Sequence, residues 1–234
     1  MISQHSTTLA KINIIAKNTY QLLITKPEGF SFTPGQYAFL DFPDPVQTDD
    51  RPSFRAMSIA SAPHEEQLMF IMRGSNSAFK KNMMEMSEGD DIIIKGPMGH
   101  VTLPQNITQP IAFIVAGVGI TPARAMIKHE EFQKADRQVT LLYASRTKDS
   151  IALHNELGST TLKNYKSVFT LTREEGEWDG SSGRIDTEMI RQNIDDISNT
   201  MYYIVGTKVF IESMKEILEG LGIEKDNMQF DNFG

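Results

Sequence analysis

The chain has 234 residues, of which 40% are hydrophobic and 23% are charged. This balance is typical of globular proteins and excludes a disordered or collagen-like chain, and the length fits one large domain or two small ones. The 30 acidic residues outnumber the 23 basic residues and give a net charge of −7. Nucleic acid is therefore not expected as a partner, because its binding depends on neutralising phosphates.

The chain contains no cysteine, which excludes disulfides, thiolate metal sites, cysteine-ligated iron–sulfur clusters and a cysteine nucleophile. Its five histidines have no metal-ligand spacing, so no metal site is predicted. Residues 1–17 lack the pattern of a secretory signal, and the apolar run Ile111–Ile120 is too short to cross a bilayer. We expect a cytoplasmic protein that does not insert into membranes.

The N-terminal part of the chain has the pattern of short strands separated by turns. The predicted strands are Leu9–Ala16, Tyr20–Thr25, Tyr37–Phe42, Met57–Ile59, Leu68–Arg73 and Asp91–Lys95. A helix is predicted over Ala78–Met86, with Ser77 as its N-cap. Short strands at this spacing are typical of an antiparallel barrel or sandwich.

After this region, strands and helices alternate. The predicted strands are Ile111–Ala116, Val139–Ala144, Lys166–Thr172, Met201–Val205 and Met228–Asp231. The predicted helices are Pro122–Lys134, Ala152–Leu157, Asp186–Asn193 and Val209–Leu221. Alternation of this kind indicates a parallel sheet with helices on both faces. We therefore predict two domains, residues 1–105 and 106–234, joined near Pro104–Pro110.

A glycine-containing segment lies between a buried strand and a helix. Gly117 and Gly119 permit a tight turn, and the following helix N-terminus offers free N–H groups to a pyrophosphate. Thr121 is expected to cap this helix and Pro122 to take its first position. An ordinary strand-to-helix turn is the alternative, because the segment lacks the six-residue dinucleotide fingerprint.

Two further segments could bind a nucleotide. The guanidinium of Arg55 can grip a phosphate, and Ser58 can hydrogen-bond a heterocycle nitrogen. Gly74–Ser77 opens a helix and could bind an anion. The alternatives are a solvated arginine with a strand serine, and an ordinary helix cap.

Taken in order, these segments resemble the motifs of the ferredoxin–NADP reductase superfamily. The resemblance is carried by Pro34–Tyr37, Arg55–Ser58, Gly74–Ser77, Gly89–Asp90, Gly96–Gly99, Gly117–Pro122, Gly183–Ile185, Val205–Thr207 and Phe230–Phe233. It implies an antiparallel β-barrel that binds FAD, rather than FMN, followed by an α/β parallel-sheet domain that binds NAD(P)H. It also implies hydride transfer from the nicotinamide to the flavin, with electrons passed to a separate acceptor.

The resemblance assigns flavin contacts to the first domain. Arg55 would meet the flavin phosphate, and Ser58 would lie beside flavin N5 as a catalytic residue. Met57 stands where the family usually has an aromatic residue that stacks on the flavin. The other flavin contacts would be Ile71, Arg73, Ser75, Asn76 and Ser77.

The resemblance assigns nicotinamide-nucleotide contacts to the second domain. The pyrophosphate would be held by Gly117, Gly119, Ile120, Thr121 and Pro122. Ser145 and Arg146 would lie near the adenosine ribose, and Gly206 and Thr207 near the nicotinamide. Asp231 and Phe233 complete the implied catalytic set with Ser58, and Phe233 would also cover the flavin.

Four residues besides Met57 depart from the family pattern. Val205 replaces a cysteine, Thr207 a proline, Asp231 a glutamate and His100 an aromatic residue. Three functions stay open at this point. The first is a reductase with bound FAD, which passes electrons to a ferredoxin- or flavodoxin-like protein or to a small molecule. The others are a reductase of free flavin, suggested by Met57, and an electron-transfer or regulatory subunit of a redox complex.

Overall fold

The computed structural model describes residues 3–173 and 176–232, which form two six-stranded sheets. The first sheet contains β1 (Ser3–Ala16), β2 (Thr19–Thr25), β3 (Tyr37–Asp41), β4 (Arg55–Ser58), β5 (Gln67–Arg73) and β6 (Asp91–Met98). Its order is β4-β3-β6-β1-β2-β5, and all neighbouring strands are antiparallel. Helix α1 (Ala78–Glu85) lies between β5 and β6 in the chain.

The two edges of this sheet approach each other, so that the sheet curls into a barrel. Just beyond β4, the Ala60 N–H donates to the Met69 carbonyl of β5 at 2.7 Å. Fully buried Leu22, Leu40 and Phe70 belong to the core of the barrel. The predicted antiparallel architecture of the first half is confirmed.

Two strands of the barrel are longer than the sequence predicted. β1 begins at Ser3 because residues 3–8 pair with β6, whereas residues 9–16 pair with β2. β6 extends three residues beyond the predicted end at Lys95, because Gly96 pairs with Ser3 and Met98 pairs with Tyr37. A polar strand segment and a glycine–proline pair carry no periodic apolar signal, so neither extension was visible in the sequence.

The second sheet is parallel, as predicted. Its strands are β7 (Ile111–Ala116), β8 (Val139–Ser145), β9 (Tyr165–Leu171), β10 (Ser181–Ser182), β11 (Met201–Gly206) and β12 (Met228–Asn232), in the order β10-β9-β8-β7-β11-β12. The helices are α2 (Ile120–Gln133), α3 (His154–Gly158), α4 (Thr187–Asn193) and α5 (Lys208–Gly220). Side chains from β7 enter two separate hydrophobic clusters, one on each face of the sheet.

The two halves share apolar packing. Ala60, Met69 and Ile71 of the first half belong to the same buried cluster as Ile120 and Ala123 of α2. Residues 99–110 connect the two sheets without a strand or helix, and the boundary between residues 105 and 106 stays a prediction. Within the described ranges, no helix combines the length and the apolar character needed to cross a membrane.

Candidate functional site

A cavity of about 940 Å³ opens between the two halves. One wall comes from β4, the end of β5 and the start of α1, and the other from residues 117–119 and the ends of β8 and β11. Carboxyl ends of parallel strands are the usual place for a ligand in an open α/β sheet. The volume lies at the upper end of the range for ligand sites, which extends to about 1,000 Å³.

The cavity is positively charged although the chain as a whole is acidic. Its charged lining residues in the described part of the chain are all cationic: Arg51, Arg55, Arg73, Lys80, Arg146 and Arg184. Burial lowers the pKa of Lys80, and repulsion from Arg51, Arg55 and Arg73 adds to this effect. Such a concentration of positive charge fits an anionic ligand with several phosphates.

Arg55 is held in place but keeps one donor free. Its Nη1 donates to the carbonyls of Pro52 and Phe54, the latter at 2.7 Å, and its guanidinium lies 5.6 Å from the Phe79 ring centroid. Its Nη2 is buried and has no hydrogen-bond partner among the described residues. A buried charged donor without a partner is costly, and a phosphate oxygen would satisfy it. The cavity therefore fits the phosphate of a flavin nucleotide.

The start of α1 differs from the predicted anion site. Ser77 caps the helix as expected, accepting from the Lys80 N–H at 3.4 Å. However, the Ala78 N–H donates to the Asp49 carboxylate at 3.0 Å, and Asp49 also accepts from Arg51 at 2.9 Å. The hydrogen bond from Arg51 and those from backbone N–H groups hold the pKa of Asp49 well below its usual range. A carboxylate of the chain itself thus occupies this helix end, while Ser75 and Ser77 line the cavity and Asn76 does not.

Ser58 meets Asp231 where the two halves join. The Ser58 hydroxyl donates to Asp231 Oδ2 at 3.4 Å. Burial raises the pKa of Asp231, opposed by hydrogen bonds from Ser58 and from the Asn232 backbone. Ser58 and Met57 line the cavity, whereas Asp231 does not. Phe233, the third predicted catalytic residue, lies outside the described residues.

Gly117 and Gly119 are each favoured for a different structural reason. Gly117 has φ +56°, a conformation that favours glycine, and the Tyr143 hydroxyl donates to its carbonyl at 3.0 Å. A Cβ at Gly119 would lie 2.4 Å from the Val205 carbonyl oxygen. Gly119 is therefore required by its packing against β11, a reason that the sequence motif did not indicate. Both glycines line the cavity.

The beginning of α2 corrects two predictions. The helix starts at Ile120, not at Pro122, because residues 117–119 form a 3-10 turn that continues directly into it. Thr121 does not cap the helix, since its Oγ1 donates to the Val118 carbonyl at 2.7 Å. Ile120, Thr121 and Pro122 are buried and do not line the cavity.

The remaining predicted nucleotide residues do line the cavity. Ser145 ends β8 and Arg146 follows it, and Gly206 ends β11 and Thr207 follows it. On the flavin side, Ile71 and Arg73 of β5 also line it. Thr207 caps α5 by accepting from the Phe210 N–H at 3.4 Å, which gives a physical reason for a threonine at this position.

Several lining residues were not predicted to belong to the site. They are Arg51, Lys80, Ser150, Thr172, Arg184, Val209, Phe210, Ser213, Met214 and Asn232, among others. Arg184 follows a glycine with φ +98° in a segment that carried the family resemblance, so its motif could have identified it. Arg51 stands in a loop and Lys80 stands on α1. No sequence motif includes either residue, and only the fold brings them to the cavity.

Comparisons with known proteins agree with this geometry. A family model described as "FAD-binding domain" matches residues 4–143, and one described as "Oxidoreductase NAD-binding domain" matches residues 113–216. The reductase component of propane 2-monooxygenase from Rhodococcus jostii is 27% identical over 97% of this chain and 63% of its own length. A flavohemoprotein from Bacillus subtilis is 28% identical over 64% of this chain and 39% of its own length. The chain thus spans less than two thirds of these relatives.

Solved structures share the fold at low sequence identity. The FAD/NAD-binding domain of a nitric oxide dioxygenase from Vibrio cholerae has a TM-score of 0.84 at 20% identity, covering 98% of each chain. A ferredoxin NADP+ reductase from Neisseria gonorrhoeae has a TM-score of 0.81 at 17% identity, again covering 98% of each chain. The family match over residues 4–143 shows that the chain belongs to the FAD-binding domain family, followed by a match to the oxidoreductase NAD-binding domain, and its fold is that of ferredoxin–NADP reductase-like proteins.

Proposed function

We propose that this chain is a cytoplasmic NAD(P)H-dependent reductase that holds FAD, accepts a hydride from the nicotinamide and passes electrons to a separate acceptor. One observation carries the proposal: a single cavity is lined by most of the residues predicted for each of the two nucleotides. Arg55, Met57 and Ser58 form one side, and Gly117, Gly206 and Thr207 form the other. Two bound rings could therefore meet inside one cavity.

The first-half wall would hold FAD through charge. Arg55, Arg73 and Lys80 would bind its phosphates, and Met57 and Ser58 would contact the ring system. When bound, FAD supplies the chemistry that accepts a hydride and releases electrons singly or in pairs. The protein holds the flavin and the nicotinamide nucleotide in register and excludes water from the space between them.

The second-half wall would hold the nicotinamide nucleotide. The turn at residues 117–119 would place backbone N–H groups against the pyrophosphate. The N-terminus of α2, which follows the turn, adds the positive end of the helix dipole. Arg146 and Arg184 would bind phosphate groups near the adenosine. Phe210 and Val209 contribute apolar surface beside Gly206 and Thr207, which favours a dry site for the nicotinamide.

Ser58 and Asp231 would act together beside the flavin ring. The Ser58 hydroxyl reaches Asp231 at 3.4 Å and can rotate to donate to a ring nitrogen instead. Because burial raises the pKa of Asp231, this carboxyl takes up a proton more readily than an exposed aspartate. We propose that Asp231 orients the Ser58 hydroxyl and does not itself touch the nicotinamide.

The acceptor would be a separate redox protein. The chain has no cysteine with which to ligate an iron–sulfur cluster of its own. Relatives carry the names reductase component of propane 2-monooxygenase and electron transfer component of anthranilate 1,2-dioxygenase. By analogy, we propose an oxygenase- or ferredoxin-type protein as the acceptor.

The test is a steady-state assay on protein reconstituted with FAD and freed of excess flavin by gel filtration. We expect FAD to stay bound and either NADH or NADPH to drive ferricyanide reduction. Rapid turnover only when free FMN or riboflavin is added would favour a reductase of free flavin. Protein that retains FAD but reduces no acceptor with either nucleotide would contradict the proposal.

A further inference from the structure

Arg124 of α2 joins the two halves of the molecule at a buried point. Its side chain is 4% exposed. Nη1 donates to the Ala60 carbonyl and to Glu65 Oε2, both at 2.8 Å, and Nη2 donates to Glu65 Oε1 at 3.0 Å. Nη2 also lies 2.6 Å from Glu156 Oε1 of α3. One guanidinium therefore binds two groups of the first half and one of the second.

The contacts of Arg124 lie directly behind both walls of the cavity. Ala60 follows Ser58 by two residues, and its N–H is fixed to Met69 of β5. Arg124 stands in the helix that continues from the turn containing Gly117 and Gly119. These contacts of Arg124, here called the bridge, therefore connect the Ser58 wall to the glycine wall through short segments of chain, and Arg124 itself does not line the cavity.

One guanidinium faces two carboxylates at this point, those of Glu65 and Glu156. Burial alone would raise the pKa of Glu65, but hydrogen bonds from Arg124 and the charge of Arg124 outweigh this effect and hold the pKa below its usual value. Glu65 is therefore ionised at neutral pH and accepts a bidentate pair, the geometry in which arginine binds a carboxylate most specifically. Removing a buried partner of such a pair leaves an uncompensated charge.

We infer that Arg124 is a positioning residue that sets the separation of the two cavity walls and thereby the alignment of the nicotinamide with the flavin. The inference rests on the proposed function. In that reaction the nicotinamide C4–H bond breaks and its hydrogen passes with both bonding electrons to the flavin, so the nicotinamide is oxidised as the flavin is reduced. A misplacement of about 1 Å can slow such a step by roughly 100-fold.

A second buried arginine provides a matched control. Arg137 Nε lies 2.8 Å from Glu130 Oε2, and both side chains are 4% exposed. Arg137 Nη1 also donates to the Asn106 carbonyl at 3.3 Å. These partners all belong to the predicted second domain, so Arg137 resembles Arg124 in burial and charge without joining the two walls.

The experiment compares Arg124→Met and Arg137→Met in the FAD-loaded full chain. Flavin reduction is followed by anaerobic stopped-flow at saturating nucleotide. We expect Arg124→Met to slow flavin reduction by about 10- to 100-fold with FAD stoichiometry retained. Arg137→Met should lower thermal stability but keep the reduction rate within about twofold. Equal rates in Arg124→Met and wild type, or equal losses in both variants, would overturn the inference.

Hydrogen exchange of the flavin-free proteins gives a readout that does not depend on activity. Exchange of the segment 59–65 should rise in Arg124→Met and stay at the wild-type level in Arg137→Met. Unchanged exchange in Arg124→Met would contradict the bridge. If wild type itself is not reduced by NADH or NADPH, the proposed function fails, whereas the bridge is still judged by exchange.

A conservative variant covers the case in which Arg124→Met does not fold. Arg124→Lys keeps the positive charge but cannot make the bidentate contact to Glu65 while also reaching Ala60 and Glu156. We expect an intermediate reduction rate, with nucleotide affinity closer to wild type than the rate is. A wild-type rate in Arg124→Lys would mean that charge alone suffices and would overturn the positioning role.

Discussion

The two walls of the cavity offer different kinds of binding surface. The first-half wall carries Arg51, Arg55, Arg73 and Lys80, which are long cationic side chains on a barrel whose core lies elsewhere. The second-half wall includes the turn at residues 117–119, whose shape depends on packing against β11, beside the side chains of Arg146, Arg184 and Phe210. Changes in the first wall should therefore weaken ligand binding with little effect on folding, whereas changes in the second wall should disturb both.

The largest effect is expected for Gly119→Ala. A Cβ there would lie 2.4 Å from the Val205 carbonyl oxygen, and a backbone oxygen cannot rotate away as a side chain can. We expect a loss of stability of about 3 kcal/mol, the upper end of the usual cost of overpacking, because every close contact of this Cβ would be with backbone. NAD(P)H affinity should fall as well, because the turn moves. Thermal unfolding and nucleotide titration would measure the two effects.

Gly220→Ala is the control for this substitution. Gly220 is the last residue of α5, and a Cβ there would meet nothing within 4 Å. Its stability should stay at the wild-type value or rise slightly, because alanine favours the helix. Stability and nucleotide binding unchanged in Gly119→Ala would show that β11 does not constrain the turn.

The next largest effect is expected for Arg55→Gln, which tests the first wall. The variant removes the charge and the buried Nη2 donor that has no partner among the described residues. A hydrogen bond to a charged group contributes about 1.5–3 kcal/mol, which corresponds to a loss of FAD affinity of roughly 10- to 100-fold. Fluorescence titration with FAD would measure it.

The control for Arg55→Gln is Arg191→Gln, which alters an exposed arginine on α4 outside the cavity lining. FAD affinity should not change in this variant. If Arg55→Gln binds FAD as tightly as wild type, the cationic wall does not hold the flavin phosphate. If it unfolds, the two walls do not differ in the way proposed.

A smaller effect is expected for Tyr143→Phe, which tests how the nucleotide turn is fixed. The Tyr143 hydroxyl donates to the Gly117 carbonyl at 3.0 Å and accepts from the Ala152 N–H at 3.3 Å. Losing these bonds should cost about 1–3 kcal/mol of stability, because the freed groups are buried. NAD(P)H affinity should fall several-fold while FAD affinity stays constant. An equal loss of affinity for both nucleotides would contradict the separation of the walls.

The smallest effect is expected for the pH dependence of Asp231→Asn. The folded-state pKa of Asp231 is raised above its ordinary value of 3.8, so its contribution to stability is fully present below that value and is lost as pH rises through the raised pKa. Asparagine does not titrate. The variant should therefore gain in melting temperature relative to wild type as pH increases from about 4 to 7. A constant difference over this range would show that Asp231 is not buried as described.

Much of the fold could be predicted because it depends on local patterns. The apolar run Ile111–Ala116 indicated a strand buried on both faces, and the alternation after it indicated a parallel sheet. The short polar strand β10 and the extension of β1 to Ser3 could not be predicted. They exist because neighbouring strands offer hydrogen-bond partners, and such partners are distant in the sequence.

The site, like the fold, has some features that the sequence could predict and others that it could not. Ser58, Arg55 and Gly117 stand in motifs with a recognisable order, and all three line the cavity. The contact of Asp49 with the end of α1 and the bridge made by Arg124 depend on tertiary approach, which no motif encodes. The motif also includes Gly119, whose main structural constraint is the Val205 carbonyl.

Anaerobic titration of the FAD-loaded protein with NADH and with NADPH tests the central claim most directly. If the cavity brings both nucleotides together, the flavin absorbance at about 450 nm should bleach fully with roughly one equivalent of at least one nucleotide. Stoichiometric FAD that neither nucleotide bleaches would contradict the account.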